Sequence, residues 1–308
     1  MISYKPGDWF TFILKIHKYE TFRQLIPLMI GIMFYSGIIG IVETTPYINS
    51  AKLTELTKSI STIYSILGFT LSLMLVFRTN SAYERWWEGR KLWGELTNSS
   101  RSFATHAYAI LGKTHETERR TLAALIGAYA YALRYHLKGD KMDREMLSNA
   151  FDHPSLEFYI GQFLDAPHQP IAINRALVSY FHELNAKGLI TADQFLIFRN
   201  ELNKLIDVCG ACERIKSTPI PYSYSAFLKK FIFFYVMLFP LLYAVHMSFF
   251  IIPVTAFILY VLASIELIAE EIEDPFNDSP NDLPTFKMAK NIAMNVRQIL
   301  LGDNSLHF

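Results

Sequence analysis

The sequence predicts an all-α membrane protein in which four transmembrane helices accompany a large helical cytoplasmic region. Three observations point there. Uncharged runs of bilayer-spanning length occupy residues 25–42, 59–77 and 231–265. Between the second and third runs, apolar residues recur at helical spacing, as in Leu122, Leu125, Ile126, Tyr129 and Leu133, with no competing strand alternation. Only 19% of the 308 residues are charged and 51% are hydrophobic, whereas soluble chains carry about a quarter charged residues. Mean hydropathy is correspondingly positive, at +0.20.

Residues 1–24 form the first segment. Trp9 to Leu14 are apolar, but Gly7 and Asp8 spoil a signal-peptide n-region, and Lys15, His17 and Lys18 end the run without a cleavage site. An interfacial amphipathic segment is expected instead. Residues 25–77 hold the first two spans. The first, LIPLMIGIMFYSGIIGIV, almost crosses a hydrocarbon core of about 30 Å. The second is sprinkled with Ser, Thr and Gly68, residues that let helices approach closely or line water, so it is expected to face protein or a pore.

Residues 231–265 would make a helix about 50 Å long, so two spans are expected, within 225–268. The turn is placed near residues 244–248, with Pro240 and Pro253 as kinks. Four spans put both termini on one side. Lys15, Lys18, Arg23, Arg78, Arg85, Arg90, Lys91, Lys229 and Lys230 flank that side, against Lys52 and Lys58 outside. By the positive-inside rule, the termini, the central region 78–224 and the C-terminal segment 269–308 are cytoplasmic.

In the central region, breaks are expected at 112–114, 139–140, 166–170 and 188. Thr191 is the expected N-cap of a helix from Ala192 to about Ile215. Pro219 and Pro221 end it, and a last helix comes after Pro284.

Charge and motifs exclude several functions. Twenty-nine Lys and Arg balance 28 Asp and Glu, which gives no electrostatic case for nucleic acid. The nine histidines include no HExxH, and there is no GxSxG, Walker loop or GxGxxG. No catalytic residue, cofactor or metal ligand is therefore assigned, and the chain is not expected to be an enzyme. Cys209-Gly-Ala-Cys212 has redox or half-zinc spacing, but it lacks a second CxxC, a nearby histidine pair and a thioredoxin-type pattern; small cysteines packed between helices are expected. Glu266, Glu270, Glu271, Glu273 and Asp274 crowd the inner end of the fourth span, as oxygen ligands for a hard cation, as a pore feature, or as partners of the basic residues nearby. On the second span Phe69, Leu73 and Phe77 recur at i, i+4 and i+8. Alone, such a stripe reads as packing; with several copies around an axis it becomes an apolar constriction.

Three strings carry a family resemblance. FRTNSAYERWWEGRKLWGEL at 77–96, preceded by SILGF, then CERIKSTPIPYSY at 212–224 and AEEIEDPFNDSPNDLP at 269–284 resemble the bestrophin family of ion channels, particularly its bacterial branch. Their order and spacing agree along most of the chain. The resemblance implies a homopentamer around one axial pore in the inner membrane, its neck lined by Phe69, Leu73 and Phe77 and its vestibule by cytoplasmic helices. It also implies a second constriction at the cytoplasmic exit, at Asp193, within a residue of Ala192 and Gln194. The family usually has an apolar residue there.

Animal relatives conduct chloride under calcium control, and bacterial ones resemble cation channels. A five-fold carboxylate ring at Asp193 would favour small monovalent cations. The acidic run after the NPF-like turn retains only Asp278 and Asp282, so calcium control is not expected. The partners implied are the chain itself, the lipid bilayer and permeant Na+ or K+. The alternatives are an anion channel of the same architecture, a redox protein using Cys209, Cys212 and the glutamates, and a membrane-anchored interaction module.

Overall fold

A computed structural model of the chain describes residues 20–43, 50–146 and 154–302, and among these there is no strand. The interfacial segment expected before residue 20, with Lys15 and Lys18, lies outside them. Two compact units are distinguished. One takes the described residues up to Arg85 together with Pro219–Glu273, and the other takes Trp86–Thr218 and the chain from Asp274.

The first unit contains α1 (Glu20–Glu43), the beginning of α2 (Ser50–Leu111), α7 (Tyr222–Met247) and α8 (Ile251–Glu273). Three stretches among the described residues are long and apolar enough to cross a membrane: Thr21–Val42, Ile60–Leu111 and Tyr222–Glu273. The last is interrupted by a 3₁₀ turn at Ser248–Phe250, where Ser248 takes a φ of 48°. This lets α8 return against α7, and both pack on α1. The reversal falls at the end of the expected interval.

Pro240 is inside α7 as predicted, but Pro253 is not a mid-helix kink. It lies in the first turn of α8, where an N–H has no intrahelical acceptor and a proline is tolerated. Ile32, Leu71, Leu75, Leu228, Ile232, Val236, Ala256 and Leu259 form this unit's core. The hydroxyls of Ser65, Thr70 and Ser72 donate to carbonyls four residues earlier at 2.9–3.0 Å. Hydroxyls on an exposed membrane face thus find acceptors within their own helix.

The second unit contains the rest of α2, α3 (Glu116–Lys138), α4 (Pro154–Leu164), α5 (Gln169–Ala186), α6 (Ala192–Ser217) and α9 (Thr285–Leu301). Helix α3 is its centre and packs against α5 and α9, with Leu122, Leu125, Ile126, Tyr129 and Leu133 all buried. Phe103, Phe181 and Phe198 cluster beside it, the last two rings stacked 4.4 Å apart. Each such burial contributes about 1.5–3 kcal/mol.

The expected breaks occur at Gly112, Gly139, residues 165–168 and Gly188. Gly139 closes α3 with a φ of 86°, which an L side chain adopts only with strain. Thr191 caps α6 in a capping box with Gln194. Helix α2 is the main departure: the apolar stretch at 59–77 runs without a break into the residues that follow it, and 62 residues form one helix, about 90 Å long.

Candidate functional site

Helix α2 carries the residues singled out for a pore. Tyr64, Leu71, Leu75, Arg78 and Ala82 are buried and mark, by helical spacing, the face turned into the first unit. Phe69, Leu73 and Phe77 fall on the opposite face, with exposures of 66, 43 and 64%. A single chain therefore buries none of the stripe. Gly68, one residue before it, sits against the Tyr235 hydroxyl so closely that a Cβ would collide. Tyr235 in turn stacks on Tyr64 at 4.2 Å. The glycine is what lets α7 approach α2 here.

At the end of the stripe Arg78 is 1% exposed and holds two carboxylates. Its Nε donates to Glu266 Oε1 at 3.4 Å, and its Nη2 lies 2.7 Å from Glu273 Oε2. Glu273 Oε1 also accepts the Ile220 N–H, and Arg85 Nε donates to the Glu273 carbonyl at 2.9 Å. Of the acidic residues at and just past the end of α8, Glu266 and Glu273 thus share one basic partner while two others have their own. Glu266 takes Arg78, Glu270 takes Lys229 at 2.7 Å, and Asp274 takes Lys216 at 2.5 Å. A buried pair of this kind is costly to break, because the remaining charge loses its counter-ion.

The three resembling strings meet in space within their units. Trp86 Nε1 donates to the Asn281 carbonyl at 3.1 Å, Arg214 pairs with Glu88 at 2.7 Å, and Lys216 Nζ also donates to Asn277 Oδ1. Gly89 lies so close to Pro275 and Phe276 that a Cβ would stand 3.2 Å from both side chains. These strings therefore encode a packing junction.

Asp193 is exposed in the first turn of α6. A carboxylate there also has a local reason, since the positive end of the helix dipole stabilises it. Cys209 and Cys212 are buried thiols. Burial pushes Cys209 up to about 12, with Glu213 adding to the rise, and Cys212 is raised for the same first reason. A thiol held in that state is a poor nucleophile and redox partner.

One cluster escaped the sequence. No metal ligands were assigned and no histidine pair was seen near Cys209, yet His136 and His168 both place Nε2 at 2.6 Å from Glu213 Oε1. Cys209 Sγ is 3.7 Å from that oxygen. Burial pushes the Glu213 carboxyl up, but hydrogen bonds from His168 and His136 outweigh it and hold the group below its ordinary value. The histidines come from other helices, so no spacing around the CxxC reveals them. The only sequence signal is that each stands at a helix end, His136 before Gly139 and His168 before Pro170.

A model of the bacterial and fungal bestrophin proteins matches residues 1–298. The chain belongs to the bestrophin family. Among curated relatives, this bestrophin is 30% identical over 284 residues to a protein of Ralstonia nicotianae, covering 92% of this chain and 90% of the relative. It is 31% identical over 246 residues to one of Nostoc, with 75% of each covered. Both relatives are named voltage-dependent anion channel-forming proteins. Its fold is also that of a bacterial bestrophin homologue solved from Klebsiella pneumoniae, with a TM-score of 0.76, 24% identity, and coverage of 91% of this chain and 100% of the other.

Proposed function

We propose that the chain is a passive ion channel: a homopentamer around an axial pore in the inner membrane. Each copy would cross four times, through α1, the beginning of α2, α7 and α8, with both termini cytoplasmic. The stripe of Phe69, Leu73 and Phe77, exposed opposite the buried face of α2, is the observation that carries this. Five such stripes facing one axis form stacked apolar rings, a constriction that gates by dewetting rather than by charge. Glu266 serves as a structural clamp with Arg78, while Glu270 and Asp274 are screened by Lys229 and Lys216. The junction of the three strings holds the pore helix against its neighbours.

The relatives' names favour anions as the permeant species, against the cation preference drawn from Asp193. An apolar neck imposes no sign, and that carboxylate already has a local role at the start of α6. The second reading, cation conduction through a ring of Asp193 at the exit, is supported by that side chain's exposure. Reversal potentials in asymmetric NaCl separate the two. The anion reading expects the chloride equilibrium potential in both wild type and Asp193→Asn. A wild-type potential at the sodium value that moves toward chloride in Asp193→Asn would establish the exit ring instead.

A further inference from the structure

Beyond conduction, we infer that His136, His168 and Glu213 form a binding site for one first-row divalent metal ion of the zinc class. Three elements of the second unit deliver the donors independently: the last turn of α3, the residue capping α5, and the end of α6. Their donor atoms, two imidazole Nε2 and a carboxylate oxygen, all lie within 4.8 Å of one another. Ligands around a tetrahedral zinc ion are about 3.3 Å apart at bond lengths of about 2.0–2.1 Å. Small side-chain rotations are enough to admit the ion. The set of two imidazoles and one carboxylate matches the open three-ligand sites that zinc and its neighbours occupy.

Two features distinguish the cluster from an ordinary surface hydrogen-bond group. Both Nε2 atoms approach one oxygen at 2.6 Å, closer than the usual 2.9–3.0 Å for N–H···O, and the rings lie 4.1 Å apart. The scaffold is also fixed before any ion arrives. Gln169, beside His168, exchanges two hydrogen bonds with the backbone of Met142 at 2.9 and 3.0 Å. Gly139 turns the chain immediately after α3, and Cys209 is anchored in the core beneath Glu213. Its thiol points at the same carboxylate oxygen from 3.7 Å, one helical turn earlier on α6, and leaves the fourth position of a three-ligand site to water.

Metal binding moves each imidazole proton from Nε2 to Nδ1. His168 Nδ1 then gives up the 3.4 Å bond that it accepts from the Ile171 N–H, a weak contact to lose. The bound ion ties the ends of three helices together, so it stabilises the second unit by linkage.

The test uses the untagged full chain in detergent, stripped with chelator and titrated with zinc alone. One zinc per chain should survive desalting, and Tm should rise with zinc. His136→Ala, His168→Ala and Glu213→Gln should each weaken binding by about a hundredfold or more, with unchanged helicity. Cobalt in place of zinc should give a four-coordinate spectrum that is lost in His136→Ala and His168→Ala. Should a variant fail to fold, the zinc stoichiometry of the wild-type chain still decides. No retained zinc, retention undiminished in folded variants, or a Tm that follows pH but ignores zinc would each overturn the site, the last by assigning the cluster to shared protons.

Discussion

The two units solve the same problem, where polar groups go, in opposite ways. In the unit built from α1, α7, α8 and the beginning of α2, apolar side chains such as Phe34, Phe69, Phe77 and Phe257 point outward. Hydroxyls turn back onto their own helix, and the buried charge is one arginine with two carboxylates. In the unit built around α3, aromatics such as Phe103, Tyr129, Phe163, Phe181 and Phe198 point inward. Its ion pairs lie toward the surface, as in Lys138 with Asp278 at 2.9 Å and Arg120 with Glu116 at 2.6 Å. The first pattern suits a surrounding that offers no hydrogen bonds, and the second suits water. One helix, α2, belongs to both and changes pattern along its length.

The sharpest way to break this contrast is at Arg78. Arg78→Ala leaves Glu266 and Glu273 without their shared counter-ion, and about 3–5 kcal/mol should be lost. Thermal unfolding in detergent should show a large fall in Tm, reduced when Glu266→Gln and Glu273→Gln are added. Equal Tm values would mean that the buried charges are not a clamp. Gly68→Ala comes next, since its methyl group meets the Tyr235 hydroxyl. Overpacking of about 1–3 kcal/mol is expected, read as weakened resistance to denaturant with the helical content retained. The smallest effect belongs to the other unit. Thr191→Ala removes one half of a capping box and should cost about 1 kcal/mol; Thr191→Ser should restore most of it.

How far the sequence revealed this fold depended on whether the signal was local. Uncharged runs, capping residues and glycines act over a few positions, and α1, the turn before α8, the Thr191 cap and the break at Gly139 were all legible. The continuity of α2 was not. Arg78 reads as the edge of a membrane, but an edge in polarity is not an edge in backbone conformation, and no proline lies between Ser50 and Leu111. The partners of the acidic residues were legible only as a class: basic side chains nearby. That Arg78 takes two carboxylates, and Lys229 and Lys216 one each, depends on packing. The histidine pair on Glu213 was invisible because its members, at positions 136 and 168, are 32 residues apart, and the nearer is 45 residues from the glutamate at 213. Only the packing of α3, α5 and α6 brings them together.

The proposed neck rests on the outward stripe of α2, and single-channel recording in planar bilayers tests it most directly. Wild-type protein should give discrete passive currents, and Phe77→Ala, which widens and wets one ring, should raise unitary conductance several-fold at unchanged reversal potential. Currents absent from wild-type protein, or a Phe77→Ala conductance equal to that of the wild type, would contradict a pore lined by Phe69, Leu73 and Phe77.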